Sequence, residues 1–503
     1  MTTTSRGTYL LKYFLIFLVL IITSCKDDDI APAPGTGGPP DSPPPEPNDV
    51  GVNYYIASSG DDSNDGLSPE TAWKTSGRVS SHEKFEPGDQ ILFLRGETFD
   101  NITLTEAGNG TVKDRIVIGA YGDENLAKPI LQGSRDPFSF TIRINSMSGI
   151  TIQDLKIQGA NGDQIYIDPV NGRCDNIKIL NCHIDGENGR HCIRFETDID
   201  SGSFFGADSV EVAFNLIENA GQGYDNTSDG LNFSNVQKNG YVHHNTFFNN
   251  KSEAIDIAAG TGHVVEFNIM DGNGDRDSGG IKTHSLTGNG IHDTENMIIR
   301  KNIIKNCIQH AVQIQDGRFI KVFNNTIYHN EENGKNALLI GSSNEALYDA
   351  DTWITGNEIK NNIFHGVTHT ITITVIRFGG SKSGSPAIFW NDHDRYDISN
   401  NIFFGGDEAN AVVVRIQTNQ FMSDEPYTDF SNLGSNNSLP YADFLQYHPD
   451  NFNVNPLLND PENGDFSLKS NSPAIDAGLA VGLTADFDGK AINGKPDLGA
   501  FEF

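Results

Sequence analysis

Residues 241–270 read YVHHNTFFNNKSEAIDIAAGTGHVVEFNIM. Asn245 and Asn268 each open a short apolar run, HNTFF at 244–248 and FNIM at 267–270. Between them lies SEAIDI at 252–257, where polar and apolar residues alternate with the period of a strand. The same marker continues outward as FNLI at 214–217, KNII at 301–304, NNTI at 324–327, and NNIF at 361–364 and 400–403. The marker residues Asn215, Asn245, Asn268, Asn302, Asn325, Asn362 and Asn401 lie 23 to 39 residues apart. Period-2 strands recurring at that interval, without a helical pattern, predict a solenoid. An Asn at one turn of every coil predicts a side-chain amide ladder along the axis.

A second phase runs through the same coils. DQIYI at 163–167, HCIRF at 191–195, DGLNF at 229–233, EAIDI at 253–257, GGIKT at 279–283, HAVQI at 310–314 and NALLI at 336–340 align. Their third and fifth residues are apolar and predict an inward face, so the fourth points outward. That outward column is Tyr166, Arg194, Asn232, Asp256, Lys282, Gln313 and Leu339. The expected fold is all-β: a single-domain, right-handed parallel β-helix over residues 51–503. Residues 51–130 supply the first coils and N-terminal cap, and 471–503 a C-terminal cap over the open end. A propeller would need a more regular period, and a sandwich would not keep an Asn phase across the coils. The acidic cluster Asp61, Asp62 and Asp65 reads either as a turn or as a structural calcium site.

The chain has 67 acidic against 35 basic residues, a formal charge of −32, which argues against nucleic acid as a partner. Residues 8–24, TYLLKYFLIFLVLIITS, follow Arg6 and carry Lys12, the plan of a secretory signal. The run ends in ITSC at 22–25, which resembles a bacterial lipoprotein box. That resemblance makes residues 1–24 a signal peptide and Cys25 the lipidated residue. KDDD at 26–29 resembles a surface-export signal, and the Pro- and Gly-rich remainder of 25–50 predicts a disordered tether. The expectation is an outer-membrane or cell-surface lipoprotein, facing periplasm or exterior, monomeric and touching the membrane only through its lipid. Cys174, Cys182, Cys192 and Cys307 match no metal-site spacing and read as buried thiols, with a disulfide among the first three open.

SDGLNF at 228–233, KSEAIDI at 251–257 and SGGIKTH at 278–284 place Asp229, Glu253 and Asp256 near one another, with Lys282 one coil on. Carboxylates on neighbouring strands suit a Ca²⁺ cage, because hard oxygens ligate it and a cation offsets their repulsion. A Lys beside such a cation is expected to have its pKa lowered, which makes it a usable base. The order D-G-L-N, S-E-A-I-D, G-G-I-K resembles the pectate lyase-like family nine of polysaccharide lyases, most closely over 200–330. The resemblance implies Asp229, Glu253 and Asp256 as calcium ligands, Lys282 as the base, and β-elimination on an acidic polysaccharide. This chain carries Ser252 and Glu253 where the family pattern has two Asp. Arg194, Asn232, His284, His310 and Gln313 are the expected substrate-binding residues, and His284 and His310 the candidate proton donors. Asp275 and Asp277 are further metal candidates. Loops 271–277 and 341–352 are expected to border the cleft. The rival readings are a glycoside hydrolase using paired carboxylates, a C5 epimerase, a non-catalytic glycan-binding surface protein and a structural stalk.

Overall fold

A computed structural model describes residues 51–503 except 171, 188, 198–205, 223–227, 235–236, 275–278, 285–293, 308–309, 316, 330–335, 343–354, 367–370, 379–395, 406–411, 420–437, 441–444 and 446–447. The signal peptide, Cys25 and the tether therefore lie outside the described residues, as do Asp275, Asp277 and most of the 341–352 loop.

The chain coils through three sheets in turn. One full turn runs Ile298–Arg300, Ile303–Lys305 and His310–Gln315, and the next begins at Lys321–Phe323. The first sheet stacks 12 strands from Asn53–Ile56 to Tyr396–Ser399, and the second stacks 11 from Thr98–Asp100 to Ile402–Phe404. The third stacks 12, from Ile102–Thr105 to Ser438–Pro440, and its last strand pairs antiparallel. All other pairings in these three sheets are parallel between successive coils, as the repeat predicts. Ile, Val, Leu and Phe from the three inner faces fill one continuous core, with the tilted rings of Phe195 and Phe233 5.1 Å apart.

The turn between the first and second sheets carries the expected ladder. Asn268 Oδ1 accepts from the backbone N and Nδ2 of Asn245, both at 3.0 Å. Its own Nδ2 donates to Val242 O, Glu266 O and the next rung, Asn302 Oδ1. Buried turn amides are thus satisfied by the neighbouring coil. The residue before each marker sits at positive φ, 54° at His244 and 57° at Phe267, which closes the turn in two residues. The ladder continues to an eighth rung, Asn451, whose Oδ1 accepts from Asn401 N at 3.0 Å.

Residues 51–130 build the first coils. Tyr54, His82 and Phe85 pack around buried Trp73. Asp61 accepts from Ser63, Asp62 from Lys74 N and Thr75 N, and Asp65 from Leu67 N and Thr71 Oγ1. These carboxylates fasten turns. The closing segment packs against the side of the coils. Leu458, Phe466, Leu468, Ala474, Leu498 and Phe501 pack on Ile303, Tyr328, Ile363 and Phe404, along the outer flank of the second sheet. That flank is apolar at these positions, so covering it removes apolar surface from water. All four cysteines of the coils are buried free thiols, and burial pushes Cys174 up to about 11.

Candidate active site on the third sheet

The outward column forms in the expected register. Tyr166 pairs with Arg194, Arg194 with Asn232, Asn232 with Asp256, Asp256 with Lys282, Lys282 with Gln313, and Gln313 with Leu339. Successive members are about 4.8 Å apart, so Arg194 and Lys282 stand about 14 Å apart along the stack.

Lys282 Nζ lies 3.4 Å from Glu253 Oε1. Asn232 Nδ2 donates to Asp229 Oδ2 at 2.8 Å and to Asp256 Oδ2 at 3.3 Å, so one amide bridges two carboxyl groups. His284 Nε2 stands 3.4 Å from Asp256 Oδ2, its hydrogen-bond partner, and 3.1 Å from Asp256 Oδ1, which accepts no hydrogen bond among the described residues. Ser252 Oγ donates to Glu253 Oε2, and Glu253 N donates to Asp229 Oδ1 at 3.2 Å. Strand alternation places Asp256, Lys282 and His284 outward. The same alternation puts Asp229 and Glu253, the first residues of their segments, underneath, where they are 2% and 4% exposed.

The charges divide these groups. Burial, with Glu253 and Asp256 nearby, pushes the Asp229 carboxyl well above the usual carboxylate range. Burial also raises Glu253 and Asp256, but ionic partners overcome it. Lys282 holds Glu253 low, and His284 with Lys282 holds Asp256 low. Burial lowers Lys282, and the three carboxylates outweigh it and leave its ammonium above the usual value. This reverses the lowered pKa expected for Lys282: the carboxylates surround the ammonium itself, which is their cation here.

Other predicted residues fall into place less evenly. Arg194 pairs with Glu196 and lies 5.9 Å from the Tyr166 ring centroid. Gln313 sits beside Lys282 but is 6% exposed. Asn232, expected to meet substrate, is spent on its two carboxyl neighbours. His310 is 1% exposed at the start of its strand, and burial lowers it to about 4. It lies under the stripe rather than on it, because the first residue of its segment shares the inward phase of the third and fifth.

That first-position column shares the inward phase, yet it is polar and titratable. It reads Asp163, His191, Asp229, Glu253, Gly279 and His310. Asp163 Oδ1 accepts from His191 N at 3.2 Å, and His191 Nδ1 accepts from Asp229 N at 2.9 Å. Side chains thus anchor the backbone of the next coil beneath the stripe. Burial raises Asp163 to about 6 and lowers His191. The signal was present as titratable residues recurring at one phase.

The donor sets divide likewise. Among the described residues, the His and carboxylate ligand atoms that converge within 4.8 Å belong to His183, Asp185 and Glu218, on the second sheet. Asp229, Glu253 and Asp256 instead surround Asn232 and Lys282.

Residues 170–359 match the family described as right handed beta helix region. A stretch of 145 residues is 30% identical to lacto-N-biosidase of Bifidobacterium longum subsp. longum, covering 24% of this chain and 9% of that protein. The crystal structure of pectate lyase Pel9A is similar with a TM-score of 0.53 at 15% identity, over 90% of this chain and 97% of that one. A rhamnogalacturonan lyase structure gives a TM-score of 0.48 at 14% identity, over 70% of this chain and 87% of that one. The family match and the Pel9A likeness agree with the coil geometry: the protein is a right-handed parallel β-helix.

Proposed function

We propose that the protein is a polysaccharide lyase that cleaves a uronic-acid-containing, pectate-like polysaccharide by calcium-assisted β-elimination, with Lys282 as the base. One observation carries the reading: Lys282 stands on an outward stripe, 3.4 Å from Glu253, with buried carboxyl groups gathered around it. In the reaction, Lys282 Nζ takes the proton from the carbon that bears the uronate carboxyl group. The freed electron pair forms the ring double bond, the adjacent carbon–oxygen bond breaks, and the leaving oxygen takes a proton from water or from His284. Arg194, further along the stripe, binds a neighbouring sugar carboxylate.

The donor chemistry suits calcium. Asp229, Glu253 and Asp256 offer oxygens only, Asp256 Oδ1 is buried and among the described residues accepts no hydrogen bond, with His284 Nε2 at 3.1 Å, and Asp229 is driven toward its protonated form. These three residues would hold the ion, and its charge would acidify the proton next to the substrate carboxyl group. Lys282 needs that offset, because uncompensated carboxylates keep its ammonium charged. The same reading makes the protein a monomeric lipoprotein anchored at the cell surface through Cys25, on the strength of the apolar run at 8–24 and the ITSC box.

A second reading, glycoside hydrolysis, has its own support. Asp229 is raised and Asp256 lowered, and one bridging amide keeps their oxygens within about 6 Å, near the separation of paired glycosidase carboxylates. The short likeness to lacto-N-biosidase points the same way. Product mass separates the two. The protein is incubated with pectate, rhamnogalacturonan, alginate and sulfated uronic polymers, and oligosaccharides are weighed. New non-reducing ends lighter by one water mark elimination; saturated ends on every cleaved polymer would replace the lyase by the hydrolase.

A further inference from the structure

On the outer face of the second sheet, His183–Asp185 and Leu216–Glu218 are neighbouring parallel strands. Asp185 pairs in register with Glu218, and His183 lies two residues before Asp185 on the same face. His183 Nε2 is 2.8 Å from Glu218 Oε1. Asp185 Oδ1 is held by Glu187 N and Asn219 Nδ2, both at 3.1 Å. One ligand atom from each of the three residues falls within a common 4.8 Å. The group is half-buried, with the His183 and Glu218 side chains 28% and 14% exposed.

Two carboxylates opposite one another on adjacent strands repel. Elsewhere on this exterior such carboxylates meet Lys or Arg: Glu211 with Lys178 at 2.6 Å, Glu266 with Arg300 at 2.6 Å, Asp271 with Lys305 at 3.0 Å. Asp185 and Glu218 depart from that rule. Their column neighbours are Gln158 and Phe248. Lys156 is the neighbour of His183 and, among the described residues, makes no ion pair with either carboxylate. The group facing the two carboxylates is an imidazole, whose ring nitrogen is a common metal ligand.

We propose that His183, Asp185 and Glu218 bind one divalent first-row transition-metal ion of the zinc class, joining two coils on the second sheet. One nitrogen and two carboxylate oxygens make a three-ligand set that suits zinc and leaves a position for water. Calcium takes oxygen ligands and is disfavoured by the imidazole. On binding, the imidazole proton sits on Nδ1, and the metal replaces the N–H that faces Glu218. The site belongs to a different sheet from Lys282 and does not depend on the elimination reading.

The test uses the purified full chain, cleared of metal with a chelator and titrated with Zn²⁺ by calorimetry, with thermal unfolding in parallel. The expected result is one saturable equivalent and an unfolding temperature that rises with Zn²⁺ concentration. His183→Gln keeps a hydrogen-bonding side chain and should weaken binding at least tenfold, as should Glu218→Gln. Calcium in excess should not displace the ion. Lack of saturable binding by the natural protein overturns the proposal. So does binding that persists within threefold in the variants, because the zinc then lies elsewhere. If one variant fails to fold, the other decides.

Discussion

Asp229 is the carboxyl group of the site that burial leaves raised, and its substitution separates stability from activity. Its folded-state pKa is raised above the ordinary 3.8. Its favourable contribution is therefore complete below that value and is lost as pH rises toward the folded pKa. Asp229→Asn should be neutral in stability near pH 4 and stabilising at pH 7, by at most about 1.4 kcal/mol per pH unit between them. Thermal unfolding at several pH values reads this directly, and a variant less stable at pH 7 contradicts it. The same change should cost most of the activity, because it removes a proposed calcium ligand. Lys282 is raised as well. Its carboxylate neighbours raise it, so elimination should accelerate as pH rises and slow when calcium is chelated. A pH–rate profile that falls on the alkaline side would count against Lys282 as base.

Among the elements, the Asn turn is the most sharply defined. Asn302 Nδ2 donates to Val265 O, Arg300 O and Asn325 Oδ1, and its Oδ1 accepts from Asn268 N and Nδ2. Asn302→Ala strands several buried groups and should lower stability by about 3 kcal/mol. Asn302→Asp should cost more at neutral pH, since it loses both donors and buries a charge. Denaturant midpoints check the order, and equal midpoints would mean the rungs are not satisfied through the side chain. The ladder was legible in the sequence because each Asn precedes an apolar run. Asn451 was not, because 50 residues separate it from Asn401. Alternation fixed the outward column from Tyr166 to Leu339, since a strand pointing inward at two positions must point outward between them. The same alternation puts His191 and His310, the first residues of their segments, on the inward phase, where both are 1% exposed, so His310 does not share the outward stripe. Alternation could not find the flank covered by Phe466 and Phe501, whose partners include Tyr328, 138 residues before Phe466.

Across the whole molecule, burial sets the response to acid. His244, His263, His310 and His365 are each lowered by burial to about 4, from an ordinary value of 6.5. The unfolded chain binds protons at these positions before the folded one does. Stability is thus full above pH 6.5 and is lost as pH falls toward 4. The unfolding temperature should drop by several degrees across that window, and a flat profile would contradict the burial. The solenoid also gives the site its reach: a stripe crossing successive coils suits a polymer lying along the axis, with Lys282 near one end and Arg194 toward the other. The central claim is that Lys282 performs elimination on that polymer. The most direct test follows the ultraviolet absorbance of unsaturated uronate during digestion of a uronic polysaccharide with calcium, comparing the natural protein with Lys282→Ala. The account predicts a steady rise that chelator stops and that the variant lacks by at least about 100-fold, the scale of a lost general base. An undiminished rise in the variant would contradict it.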